Sequence, residues 1–279
     1  RNAILYYGSP EGLQLMSAVI LPANNCLGMA AADLNQDGRL DLILANSGTR
    51  KAPLVDSTIF WATEQGFNPK RRSTLPTQGA RTVQAADLNG DSFVDILFGN
   101  SRDSQGSDVP SYIYWGGSHG FSLHRRKELT GFGVISSGIA DFNRDDQPDL
   151  LLVSNNSGKN ILPAVIYWGT PDHYYSMART SLIDLDATME YSIADLDDDN
   201  YPDIVVIRGD KSVVVWGSPS GHHKGNDTEL PVTPALATSI ADLNQDGFLD
   251  IVVSLHGTPR RKAQAAIVWG NSDRFDNAK

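Results

Sequence analysis

Asp33-Leu34-Asn35-Gln36-Asp37-Gly38-Arg39-Leu40-Asp41 carries oxygen side chains at its first, third, fifth and ninth positions and a glycine at its sixth. The pattern returns at Asp87–Asp95, Asp141–Asp149, Asp195–Asp203 and Asp242–Asp250, the first four copies at intervals of 54 residues. A fixed period of this size marks a repeat architecture. Alternate residues of a tight turn can point inward together, and calcium takes about six to eight oxygens. In the first copy Asp33, Asn35, Asp37 and Asp41 would supply side-chain oxygens and Arg39 its carbonyl. Gly38 suits a left-handed turn. Its counterparts are Ser92, Asp146, Asn200 and Gly247. Ser92 tolerates that conformation least, which makes the second copy the weakest of the five. The fourth, with four Asp, is expected to hold its ion longest.

Two simpler readings fail. A lone Asp/Asn/Gly cluster is often a turn that solvates its own backbone, but five copies repeat the same oxygen positions. An EF-hand needs an acid at the twelfth position and a following helix. Position twelve here is Leu44, Phe98, Leu152, Val206 or Val253, and β-type runs follow.

The formal charge of the 279 residues is −10, and Cys26 is the only cysteine. That excludes an internal disulfide and a cysteine-built metal site. Sixteen Asp are proposed ligands, and five divalent ions would bring −10 to zero, so the acidity points to metal rather than to a basic partner, and no nucleic-acid partner is expected. No apolar run is long enough to span a membrane, and no signal peptide is seen.

Around each acidic loop four strands recur. Small residues precede it (Gly28-Met-Ala-Ala-Ala, Ser136-Ser-Gly-Ile-Ala) and an unbroken apolar run follows (Leu42-Ile-Leu, Ile204-Val-Val-Ile). Such runs are covered on both faces. A third strand ends in Trp61, Trp115, Trp168, Trp216 or Trp269, with Tyr7 at the sixth such position, and the five tryptophans are expected to pack between neighbouring units. A charged fourth strand, as in Lys70-Arg-Arg-Ser-Thr, defends an exposed edge. The order describes an all-β protein, a β-propeller of four-stranded antiparallel blades.

These loops, the runs after them and Tyr114-Trp-Gly-x-x-x-Gly-Phe121 resemble FG-GAP/VCBS repeats, the calcium-binding blades of integrin α-subunits and of exported bacterial proteins. The resemblance covers nearly the whole chain. It implies calcium in the loop joining the first two strands of each blade. The matching ligands would be Asp87, Asn89, Asp91 and Asp95; Asp141, Asn143, Asp145 and Asp149; Asp195, Asp197, Asp199 and Asp203; and Asp242, Asn244, Asp246 and Asp250. The carbonyls of Phe93, Gln147, Tyr201 and Phe248 would match that of Arg39. About five structural calcium ions are expected.

The expected organisation is one propeller domain over 1–279. Complete blades cover 23–78, 79–132, 133–187 and 188–235, with partial blades at 1–22 and 236–279. A six- or seven-bladed ring accounts for six Trp/Tyr strands better than a five-bladed one. The expected function is an extracellular, cell-surface or periplasmic interaction module, with no catalytic residues. Its partner, a protein or an anionic glycan, would bind the loops between second and third strands, on the face opposite the metals. There Arg50, Lys51, Arg102, Lys159, Arg208, Lys211, Arg260, Arg261 and Lys262 outnumber Asp56, Asp103, Asp108 and Asp210. A lectin-like glycan binder is the alternative, with Tyr112, Tyr174 and Tyr175 as its loop aromatics. A polysaccharide-active enzyme ranks third, since most acids are committed to metal and His222-His223 reads as a solvated loop. Arg208-Gly209-Asp210 reads as a two-residue hairpin turn rather than an adhesion motif. Asn155-Asn-Ser157 and Asn226-Asp-Thr228 fit the glycosylation acceptor pattern.

Overall fold

The computed structural model describes residues 2–49, 51–52, 54–154, 163–172, 174–183, 185, 191–223, 225–255 and 264–275. They form antiparallel sheets, within two compact units, Arg1–Ser137 and Gly138–Lys279.

The first unit opens with β1 (Asn2–Leu5), a small hairpin of β2 (Gly8–Ser9) and β3 (Gly12–Leu13), and β4 (Val19–Pro22), which pairs with β1. A four-stranded sheet follows, β5 (Cys26–Ala32), β6 (Asp41–Asn46), β7 (Ser57–Phe60) and β8 (Arg72–Leu75). Then come β9 (Ala80–Ala86), β10 (Asp95–Asn100), β11 (Ser111–Tyr114) and β12 (Arg126–Leu129). The third such sheet is β13 (Val134–Ala140), β14 (Asp149–Ser154), β15 (Ala164–Tyr167) and β16 (Thr180–Ile183). In the second unit follow β17 (Tyr191–Ala194), β18 (Asp203–Arg208), β19 (Lys211–Val215) and β20 (Asp227–Glu229). A three-stranded sheet ends the described chain, β21 (Ala235–Ala241), β22 (Asp250–Leu255) and β23 (Gln264–Val268). Strand order in each four-stranded sheet and in the three-stranded one is sequence order, the meander of a propeller blade. The acidic loop joins the first and second strands of each.

The composition of each strand follows from its neighbours. Second strands are buried along nearly their whole length, as unbroken apolar runs require. The core of the first unit joins Ile43 and Ile59 of one sheet to Val83, Ile96 and Phe98 of the next. First strands are small because adjacent sheets approach closely there. A Cβ on Gly28 would lie 2.7 Å from the Arg81 carbonyl oxygen of the next sheet. The same crowding lets hydroxyls pair between first strands, Thr82 with Ser137 at 2.9 Å and Ser192 with Thr238 at 3.0 Å.

The tryptophans sit one residue past the third strand, and three of them turn their indole N–H groups onto their own sheet. Trp61 donates to Ser73, Trp168 to Ser181 and Trp216 to Thr228 of the outer strand. Trp269, whose sheet has three strands, is 50% exposed. Trp61 and Trp216 also pack in apolar clusters that join neighbouring sheets, as expected, and the pinning of the outer strand by Trp61, Trp168 and Trp216 is an added polar role.

Gly28→Val should force the two first strands apart. We expect a loss of about 1–3 kcal/mol, the usual cost of overpacking, read as a lower midpoint in chemical denaturation.

Candidate functional site

Each acidic loop is a nest of backbone N–H groups folded onto its own carboxylates. In the first, Asp33 accepts from the amides of Asp37 and Gly38, Asn35 from Asp37, and Asp37 from Arg39. The same pattern holds Asp141, Asn143 and Asp145, then Asp195, Asp197 and Asp199, and then Asp242, Asn244 and Asp246. In the second copy Asp87 accepts from Gly90 and Ser92, Asn89 from Asp91, and Asp91 from Phe93. The sixth residue is left-handed in every copy: Gly38, Ser92, Asp146, Asn200 and Gly247 have φ of 81°, 67°, 61°, 68° and 92°. Ser92 thus adopts the conformation of its counterparts. The fourth residue is left-handed too, at Gln36, Gly90, Arg144, Asp198 and Gln245. Side-chain type did not signal this, because only one of the five is glycine.

The ninth-position aspartates differ from the rest. Asp41, Asp95, Asp149, Asp203 and Asp250 are all fully buried. One carboxylate oxygen of each accepts the amide of the loop's second residue (Leu34, Leu88, Phe142, Leu196 or Leu243) at 2.8–3.2 Å. The other accepts the amide just past the tryptophan (Ala62, Gly116, Gly169, Gly217 or Gly270) at 2.7–2.8 Å. Four of these five are glycine because a Cβ on Gly116, Gly169, Gly217 or Gly270 would meet a backbone oxygen of the loop at 2.2–2.6 Å. Burial raises the carboxyl pKa of Asp95 to about 6 and of Asp149 and Asp203 to about 7, against the lowering effect of those two amides. Asp41 is raised for the same reason. A neighbouring cation would relieve that penalty.

The fourth loop shows how such a cation would fit. Asp195, Asp197 and Asp203 each bring one oxygen to within 4.8 Å of the others. Two oxygens on one calcium ion lie at most about 5 Å apart, given bonds of about 2.3–2.6 Å. Among the described residues this all-oxygen set suits a hard divalent ion. In the second, third and fifth loops, the amide of Asn89, Asn143 or Asn244 donates to the carboxylate two residues on. Asp197 cannot, and Arg274 takes over, ion-pairing with Asp197 and lying 3.6 Å from Asp199. Its guanidinium also lies 5.0 Å from the Trp216 ring centroid, and Phe275 stacks on that ring. Burial and then Asp199 raise the Asp197 pKa, and Arg274 opposes them. Arg274 occupies the left-handed position that is glycine at Gly66, Gly120 and Gly221. Sequence reasoning missed it, though its place in the Trp-Gly-x-x-x-Gly-Phe motif was a readable signal.

Other expected residues are placed differently from their reading. His222 occupies the Phe position of that motif. It donates from Nε2 to the Pro202 carbonyl at 2.7 Å and packs edge-on against Phe142. Burial lowers its pKa. It is a packing residue, not part of a solvated loop. Tyr112 and Tyr175 are 4% and 1% exposed, so neither offers a platform to a sugar, whereas Tyr174 is 54% exposed. Gly209-Asp210 forms the two-residue turn expected, with Arg208 paired to Lys211 across the hairpin and Gly209 at φ 67°. On the proposed basic face, Arg208 is ion-paired with Asp227 and Lys211 with Glu229. Arg50, Lys159, Arg260, Arg261, Lys262 and the acceptor triplet 155–157 lie outside the described residues.

Meandering four-stranded sheets with an acidic loop between the first two strands define a repeat protein of the β-propeller type. Residues 33–98 and 195–253 match the model of the FG-GAP-like repeat family. Human integrin alpha-7 is 31% identical over 144 residues, 45% of this chain and 12% of the integrin. The mouse T-cell immunomodulatory protein is 24% identical over 233 residues, 79% of this chain and 36% of that protein. The chain therefore spans about an eighth and about a third of these relatives' lengths. A solved lectin of Agrocybe aegerita, described for its specific recognition of non-reducing terminal N-acetylglucosamine, aligns with a TM-score of 0.54 at 14% identity. That alignment covers 88% of this chain and 63% of the lectin, and it supports the fold.

Asp149→Ala should leave the buried amides of Phe142 and Gly169 without acceptors. Hydrogen bonds to a charged group contribute about 1.5–3 kcal/mol each, so unfolding free energy should fall by about 3 kcal/mol or more. Asp146→Ala, at an exposed loop position, should cost less than half of that in the same denaturation series.

Proposed function

We propose that this chain is a calcium-stabilised extracellular binding module, with metal at the acidic loops and partners at the opposite ends of the sheets. The observation that carries the reading is the recurrence of one oxygen-lined loop, always between first and second strands and always locked by a buried Asp. Every loop repeats the same fixed geometry, and no reactive group stands among its oxygens, so the ions serve to hold the fold. The ligand set is the one named from the repeat, at Asp33–Asp41 and its four copies. The sheets are consecutive blades of one six- or seven-bladed ring, to which 1–22 and 236–279 contribute parts. The FG-GAP-like matches and the integrin relative support an adhesive, cell-surface or secreted role. Among the described residues no helix is long and apolar enough to cross a membrane.

A second reading gives the module a glycan partner. It is favoured by the lectin's shared fold, and by the pairing of Arg208 and Lys211 within their own sheet, which weakens the case for an anionic ligand.

Chelation should lower the melting temperature by several degrees, and added calcium should restore it, because clustered carboxylates oppose loop closure without a cation. A melting curve indifferent to excess chelator would overturn the calcium reading. Arg274→Ala tests the fourth loop. The guanidinium competes for Asp197 and Asp199, so its removal should tighten calcium binding there several-fold by isothermal titration, with the other loops unchanged.

A further inference from the structure

A cleft of about 520 Å³ opens beside the loop between β6 and β7, on the end of the first four-stranded sheet opposite its acidic loop. Its working residues are Asn46, Leu54, Asp56, Thr58, Arg72 and Thr74. The neighbouring sheet shows why it is open. There Tyr112 stands across from Glu128 and Tyr114 from Arg126. The Arg126 guanidinium lies 4.0 Å from the Tyr112 ring centroid and donates to Glu128 at 2.7 Å. Ring, cation and carboxylate fill the space and satisfy one another. At the same register positions the first sheet carries Thr58 across from Thr74, and Phe60 from Arg72. Two threonines replace the ring and the carboxylate, and Arg72 keeps a bond to the Pro69 carbonyl.

We propose that this cleft binds a neutral hexopyranose unit of a glycan. The inference rests on the binding-module reading and names its ligand class. The donors and acceptors suit adjacent hydroxyls: a carboxylate accepts from two O–H groups, and a guanidinium fork donates to two oxygens. Asp56 and Arg72 are both exposed and of opposite charge, so a neutral ligand uses both, whereas a uronate would face Asp56 and an amino sugar Arg72. The Thr58 hydroxyl accepts from the buried Asn46 amide at 3.1 Å, which leaves its own proton for a ligand oxygen. Leu54, 59% exposed, offers the apolar surface that the C–H face of a pyranose needs. The volume lies within the range of about 300–1,000 Å³ usual for small-ligand sites. A second cleft of about 460 Å³ shares Asn24 and Val55 with the first and is lined by Arg102, whose Nε is buried without a hydrogen-bond partner. That unmet donor suits the next unit of a longer chain.

The test is a ¹⁵N–¹H shift titration of the calcium-loaded chain with methyl β-D-glucopyranoside, methyl β-D-galactopyranoside and methyl α-D-mannopyranoside, each to about 50 mM. At least one should give saturable shifts at the amides of Asn46, Thr58 and Thr74, with a Kd of about 1 mM, as single sugar units bind weakly. Thr58→Tyr with Thr74→Glu rebuilds the filling of the neighbouring sheet and should abolish those shifts. Asp56→Asn, on the surface and remote from the core, should weaken binding about tenfold and decides the matter if the double variant fails to fold. The proposal is overturned if none of the three sugars gives saturable shifts, if methyl β-D-glucuronide binds where they do not, or if binding survives either variant unchanged. Melting with and without chelator, run on the same samples, judges the calcium reading separately from the sugar site.

Discussion

A buried carboxylate between two amides is the contact on which the rest of each repeat depends. The ninth-position Asp of every loop lies at the start of the second strand, away from water, and reaches both the loop ahead of it and the turn beyond the third strand. A buried charge without partners would cost several kcal/mol, and two charge-assisted bonds offset much of that. Because its partners come from both sides in the chain, the Asp fixes the shape of the acidic loop and its height against the third strand together. Glycine at the second partner follows from this, since a side chain there would strike the loop that the Asp holds down.

The same clamp accounts for what the repeats are free to vary. With loop and turn locked, single positions change without loss of the frame. The fourth loop exchanges Asn for Asp197, and the fifth sheet answers with Arg274 at the position held by Gly66, Gly120 and Gly221 in three other repeats. His222 replaces an aromatic ring of the motif and donates to the Pro202 carbonyl as Tyr175 does to that of Pro148. At the other end of the sheets, Thr58 and Thr74 replace Tyr112 and Glu128. Here the exchange leaves space rather than a new partner. A rigid scaffold with one position hollowed is how binding sites commonly arise on repeated frames.

Two of the basic side chains counted in the sequence are neutralised within their own sheet. The second-to-third-strand loops are rich in Arg and Lys, yet Arg208 and Lys211 are paired with acids of their own outer strand. The exposed Lys211–Glu229 pair contributes little to stability, but both pairs remove free charge from the surface.

The amino-acid sequence alone determined the repeat, the meander of four strands and the place of the acidic loop, because these rest on local spacing. Alternating oxygens, a glycine or its substitute at the sixth position and continuous apolar runs are all readable within a few residues. Left-handed backbone at the fourth position was not readable, since Gln36 and Arg144 are not residue types that mark such a position. Only the tertiary structure decided which side chains face one another across strands and sheets. The burial of Tyr112 beneath Arg126, the reach of Arg274 into the loop of Asp197 and Asp199 and the cleft at Thr58 all depend on register and on the approach of neighbouring sheets. Contacts between distant segments are set by packing, and packing is a property of the whole assembly of strands rather than of any one repeat.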